Sequence, residues 1–197
     1  MAIFCLMGKS SSGKDTIYKK ILSDESLNLI PIVPGTTRPM RDGEQNGREY
    51  FFYTEEEFAD LKARGRIAES RSYNTVHGIW YYFTVADEKI KPAESDYILI
   101  GTLEAYNGLV SFFGDSAVVP IYVFVDDGER LTRALAREKS QKNPRYAEMC
   151  RRFLGDEEDF SEEKLKESGI TRRFENRDLD ETVEEIKKWI SGKMSKR

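Results

Sequence analysis

The chain is poor in the residues that mark several functional classes. It has one histidine, His77, and two cysteines, Cys5 and Cys150, in 197 residues. Cys5 lies in an apolar run and Cys150 in a charged helical pattern, which excludes a disulfide framework or a zinc cluster. Long apolar runs are also missing: the opening "MAIFCLM" reaches seven residues and then meets Gly8 and Lys9, so neither a secretory leader nor a membrane span is expected. No excess of positive charge is present. The net charge is −4, which argues against a nucleic-acid binder working through a broad basic face. Internal repeats and low-complexity segments are absent as well. What remains, 39% hydrophobic and 34% charged, fits an ordinary globular chain long enough for one domain with a small insert. A cytoplasmic location, with no membrane or nucleic-acid partner, is the expectation.

Runs of apolar residues alternate with helical periodicity. "AIFCLM" (2–7), "YILIG" (97–101) and "VVPIYVFVD" (118–126) read as strands buried on both faces. Helical patterns follow each of them: "DTIYKKILSDES" (15–26), "LEAYNGLVSFF" (103–113) and "GERLTRALAREKS" (128–140). The alternation predicts an α/β fold with a parallel sheet flanked by helices. The segment 178–192, "DLDETVEEIKKWISG", predicts a further helix with Asp180 as its cap and Val183, Ile186 and Ile190 on one face. Residues 35–84 break the alternation. They read as a small α+β insert over the C-terminal edge of the sheet, with short strands in "EYFFYT" and "GIWYYFT" around a helix at 55–65. The basic stretch 140–152 reads as a loop-like lid, and the core as 1–34 and 85–197 of a single domain.

The stretch "GKSSSGKDT" (8–16) has the spacing of a phosphate-binding loop, G-x-x-x-x-G-K. Backbone N–H groups of Gly8, Lys9, Ser10, Ser11, Ser12 and Gly13 in such a turn point at phosphate oxygens, with Lys14 adding a point charge. The loop follows the first strand and opens the first helix, which is the context the motif needs. Asp15 stands where the motif has Ser or Thr, with Thr16 beside it. A second set of residues sits in "TTRPMRDGEQNGREYFF" (36–52). Arg38 and Arg41 can grip one phosphate with their guanidinium forks, and Tyr50 can add a phenol donor.

That second segment resembles the acceptor-binding segment of guanylate kinases, TTR-x-x-R-x-G-E-x-[ND]-G-x-x-Y-x-F. The resemblance runs over nearly the whole chain: the loop, this segment, "IAES", an arginine-bearing lid and "FENRDLDETVEEI". It implies transfer of the γ-phosphoryl of ATP to GMP, with Mg2+ as cofactor. Arg38, Arg41 and Tyr50 would hold the GMP phosphate, and Glu69 would read guanine through its N1–H and exocyclic amine. Arg133, Arg137 and Arg152 would approach the transferred phosphoryl, and Asn176 would lie near adenine. His77 and Gly78, of "HGI", and Thr102 fall at acceptor-site positions.

Several positions depart from the family pattern. The loop has Lys9, Ser11 and Asp15 for Pro, Gly and Ser; Ile100 and Thr102 replace strand aspartates; Ile79 replaces Ser or Thr, and Pro34 a serine. Two alternatives therefore stay open, a kinase for another (deoxy)nucleoside monophosphate and a catalytically inactive domain that binds protein partners. The chain is expected as a monomer or homodimer. Asp15 is expected to hold the metal, directly or through water, because a carboxylate beside a triphosphate is tolerable only with a cation between them.

Overall fold

The computed structural model describes residues 2–75, 78–86 and 90–194. Its strands form two sheets. The first has the order β2-β7-β1-β8-β9, from β2 (Ile30–Pro31), β7 (Tyr97–Ile100), β1 (Ile3–Met7), β8 (Val118–Phe124) and β9 (Arg173–Glu175). β2 pairs parallel with β7, Ile30 opposite Tyr97, and β8 pairs parallel with β9, Tyr122 opposite Arg173. All five residues of β1 are buried, as a run without alternation predicts. The second sheet has the order β4-β3-β6-β5, from β4 (Phe51–Phe52), β3 (Gly35–Thr36), β6 (Gly78–Val85) and β5 (Ile67–Thr75).

The chain divides into two compact units. One comprises residues 1–3, 29–99 and 104–119, the other 4–28, 100–103 and 120–197. In the first, β5 and β6 form a long antiparallel hairpin and α2 (Glu55–Ala63) packs its Phe58 against Tyr81 and Phe83 of β6. α2 starts with a capping box, in which Thr54 accepts from the Glu57 N–H and Glu57 from the Thr54 N–H. α3 (Leu103–Phe113) keeps the bounds its apolar pattern predicts.

In the second unit, α1 (Lys14–Leu22) buries Ile17 and Ile21, one turn apart, and packs on α7 (Leu179–Met194). Val183, Ile186 and Ile190 of α7 are buried as expected. Its cap is not Asp180: Asp178 Oδ1 accepts from the N–H groups of Asp180 and Glu181 at 2.9 and 3.0 Å. α4 (Asp127–Lys139) packs on α5 (Tyr146–Asp159), and α6 (Glu162–Glu167) follows. The stretch 140–152 is thus loop only as far as Arg145, and 146–152 form the first half of α5. Among the described residues no helix is long and apolar enough to cross a membrane.

Candidate active site

In the second unit the phosphate loop runs from the end of β1 into α1. Ser11 and Gly13 take positive φ, 63° and 86°. That turns the chain back on itself, and at Gly13 a Cβ would stand 2.5 Å from the Asn176 Nδ2. Asn176 donates from Nδ2 to the Ser12 carbonyl at 2.8 Å, so it holds the loop in shape. The close approach at Gly8 has the same logic: a side chain there would meet the Val123 carbonyl at 2.6 Å. The hydroxyls of Ser11 and Ser12 are buried and have no hydrogen-bond partner among the described residues. Buried hydroxyls without partners are costly unless something polar meets them, and a phosphate oxygen in the loop is such a group.

Lys14 lies 3.7 Å from the Asp15 carboxylate, whose side chain is 74% exposed in the first turn of α1. Thr16 is exposed beside it. These are hard oxygen donors, suited to Mg2+. Among the described residues no group of three or more His, Cys, Asp or Glu could hold a metal by itself. Asp15 and Thr16 would supply only part of a coordination shell, so an ion held by them would draw its other ligands from substrate phosphates and water, as Mg2+ does.

The loop also carries partners that the sequence did not reveal. Ser10 N–H donates to Asp156 Oδ2 at 2.7 Å, and Lys9 Nζ to Glu157 Oε2 at 2.7 Å and Asp127 Oδ1 at 3.5 Å. Behind them Arg130, 1% exposed, lies 3.4 Å from Asp127 and from Glu157 and stacks over Phe153 at 4.7 Å. In sequence Arg130 belongs to a charged helix and Asp156 and Glu157 to the acidic run "DEED"; both patterns look like solvated faces. Of the three lid arginines, Arg137 and Arg152 line one cavity with Ser10, Ser11, Glu148 and Met149. Arg133 is engaged elsewhere, with Glu129 at 3.0 Å and the Asn176 carbonyl at 3.2 Å. Thr102, half-buried just beyond β7, belongs to this unit.

In the first unit, Arg38 is 3% exposed and its fork is taken up by Glu44, Nη1 to Oε2 at 2.8 Å and Nη2 to Oε1 at 2.5 Å. The same Glu44 Oε2 accepts from the Arg41 N–H at 2.8 Å. Bonding to Arg38 holds the Glu44 carboxyl down at about 2. The Arg38 guanidinium sits 5.2 Å from the ring centroid of half-buried Tyr50, whose phenol burial pushes up. The Arg41 side chain is exposed, and no hydrogen bond or ion pair engages it among the described residues. Arg38, Arg41 and Tyr50 are thus brought together by one loop, with Arg41 the guanidinium left available.

Glu69 sits on β5 directly opposite Thr84 of β6, and Arg71 opposite Tyr82. Thr84 Oγ1 donates to Glu69 Oε1 at 2.7 Å and Arg71 Nη1 to Oε2 at 2.9 Å. Burial opposes the charge on Arg71, but Glu69, Tyr73 and Tyr50 raise its pKa overall. α3 passes so close that a Cβ on Gly108 would stand 2.5 Å from Glu69 Cβ. Thr84, Arg71 and Gly108 were not singled out in the sequence; the hairpin register reveals Thr84, the helix approach reveals Gly108, and the ion pair two residues along β5 reveals Arg71. Gly78 opens β6 at φ 105° with open space around it, and His77 lies outside the described residues.

Comparison with known proteins places these features in one family. The family description "Guanylate kinase" matches residues 1–193. A guanylate kinase of Porphyromonas gingivalis is 27% identical over 197 residues, 98% of each chain. One of Mycoplasmoides gallisepticum is 29% identical over 189 residues, 95% of this chain and 91% of the relative. The crystal structure of guanylate kinase from Anaplasma phagocytophilum shares the fold with a TM-score of 0.68 at 22% identity, over 97% of this chain and 85% of that one. With the family description running from the phosphate loop into α7, the chain belongs to the guanylate kinase family.

Proposed function

We propose that the chain transfers the γ-phosphoryl of ATP to GMP, giving ADP and GDP, with Mg2+ and in the cytoplasm. The observation that carries this reading, beside family membership, is the loop. Two buried hydroxyls without partners, Ser11 and Ser12, stand in a positive-φ turn that opens a helix. That arrangement suits phosphate oxygens and little else. In this reading the loop from Gly8 to Thr16 holds the ATP phosphates, with the Ser10 N–H and the Lys9 ammonium engaged by Asp156 and Glu157, and Asn176 keeps the loop in shape. Lys14 places its charge on the transferring phosphoryl, and Arg137 and Arg152 stabilise the charge that spreads over it in a loose transition state. Arg133, tied to Asn176 and Glu129, supports the group from behind.

On the acceptor side, Arg41 and the Tyr50 phenol receive the GMP phosphate. Arg38, already bonded to Glu44, orients that loop, and Glu69 reads the base. Asp15 and Thr16 are the residues that would hold Mg2+ or its waters, and the ion would supply neutralisation of the phosphate charge there. Residues 35–84 act as the acceptor-binding insert and about 140–152 as the lid. Steady-state turnover of GMP, dGMP, AMP, CMP and UMP with ATP and Mg2+ tests the proposal. Preferred turnover of GMP is expected. Preference for another monophosphate would redirect the substrate, and no turnover of any would leave a binding domain.

A further inference from the structure

Glu69 is the sharpest feature of the acceptor unit, because its carboxyl group is buried and paired with Arg71. Its side chain is 3% exposed and that of Arg71 10%. One oxygen accepts from Thr84, the other from Arg71, and Gly108 closes the space beside its Cβ. The carboxylate plane is therefore fixed before any base arrives. Two of its roughly four lone-pair sites remain, and Arg71, which bonds Glu69 and Tyr73, has further N–H groups among its five. Glu69 and Arg71 stand two apart on β5, so both point to one face of the hairpin, with Tyr82 opposite Arg71 and 6.0 Å from its guanidinium.

We infer that Arg71 is a specificity-determining residue for the acceptor base: with Glu69 it presents a hydrogen-bond donor beside an acceptor, and it selects bases that carry a carbonyl next to an N–H, the 6-oxopurines. The inference rests on the reading that Glu69 meets the base. A 6-oxopurine offers O6 to the guanidinium and N1–H to the carboxylate. Adenine offers the reverse, an amine towards the cation and a ring lone pair towards the anion. Both buried groups would then be left unmatched, each bearing its desolvation without a partner. The two sites left on Glu69 can accept from N1–H and from the 2-amino group of guanine, so hypoxanthine keeps the Arg71 contact and the N1–H bond and loses one bond to Glu69. The substrate class is therefore 6-oxopurine nucleoside monophosphates, guanine ahead of hypoxanthine.

Four acceptors separate the features: GMP, IMP, AMP and 2-aminopurine riboside monophosphate, which keeps the amine and lacks the carbonyl and N–H. In the wild type, kcat/KM for IMP should lie within about tenfold of GMP, and for AMP and the 2-aminopurine nucleotide at least about a hundredfold below. Arg71→Met should lower GMP and IMP by about 10- to 100-fold, mainly through KM, and shrink the ratio of GMP to 2-aminopurine nucleotide. Arg71→Lys keeps the charge without the planar fork and should recover the melting temperature but not that ratio. A parallel fall for all four acceptors, with the ratio intact, would mean that Arg71 is only structural and would overturn the inference. So would a wild type that prefers the 2-aminopurine nucleotide to IMP. Glu69→Gln tests the underlying reading separately. If it leaves base selectivity intact, Glu69 does not meet the base; if it abolishes selectivity while Arg71→Met does not, the role of Arg71 alone fails.

Discussion

Gly108→Ala sets two familiar effects against each other. Gly108 lies inside α3, where alanine is favoured over glycine by about 1 kcal/mol, so on an open helix the change would stabilise. Here the new methyl would stand 2.5 Å from Glu69 Cβ, whereas ordinary contact starts at 3.4 Å. Glu69 Cβ is fixed to its strand and cannot swing aside as a side-chain tip could. Helix and hairpin must separate locally by about 0.9 Å, and overpacking of this kind costs about 1–3 kcal/mol. The clash therefore wins or breaks even, with a net loss of up to about 2 kcal/mol. For a chain of this length that is up to about 8 °C in melting temperature. The larger effect is on acceptor recognition, because the displaced residue is the one proposed to read the base. A shift near 1 Å can cost about a hundredfold, so KM for GMP should rise about 10- to 100-fold. Thermal unfolding and GMP kinetics at saturating ATP measure both. A more stable variant with unchanged KM would refute the reasoning.

Lys14→Ala should collapse turnover while leaving GMP binding in place, whereas Arg41→Ala should first raise KM for GMP. Unchanged GMP kinetics in Arg41→Ala would remove that residue from the acceptor site. Asp15→Asn should raise the Mg2+ concentration needed for half-maximal activity, while ATP affinity measured without Mg2+ stays level. An unchanged Mg2+ requirement with activity retained would assign Asp15 to its contact with Lys14 and the helix start alone. Glu44 has its pKa lowered from 4.5 to about 2 by Arg38, so its contribution to stability is full above pH 4.5 and is lost as pH falls towards 2. Chemical unfolding of Glu44→Gln should accordingly show a deficit against the wild type at pH 6 that narrows at pH 3. A deficit independent of pH would place the effect in packing.

The elements the sequence revealed are those with a simple burial pattern. β1 is buried on both faces and reads as a continuous apolar run; α3 and α4 read from their periodicity. α5 was missed in its first half for the converse reason: it has no buried residue, so no apolar stripe marks where it begins. At α7, two aspartates in "DLD" stand close enough to cap, and only the hydrogen bonds decide for Asp178. The phosphate loop and the Arg38–Arg41–Tyr50 segment were legible because each is contiguous in sequence. The groups that complete them were not. Thr84 meets Glu69 only through the register of a hairpin, Arg71 sits two residues along the same strand and shows its bond to Glu69 only in the folded side chains, and Arg130 looks like any arginine on a charged helix until α5 covers it.

The Asn176–Ser12 hydrogen bond joins residues 164 positions apart. That distance gives the loop a history. During synthesis the glycines and lysine of the loop leave the ribosome early, but the side chain that holds them in shape is still untranslated. At about 5–20 residues per second, the 164 intervening positions take about 8–33 s to make. Throughout that interval the nascent chain carries the complete motif without the contact that sets its geometry. A chain interrupted before Asn176 would hold the sequence of a phosphate site without that support.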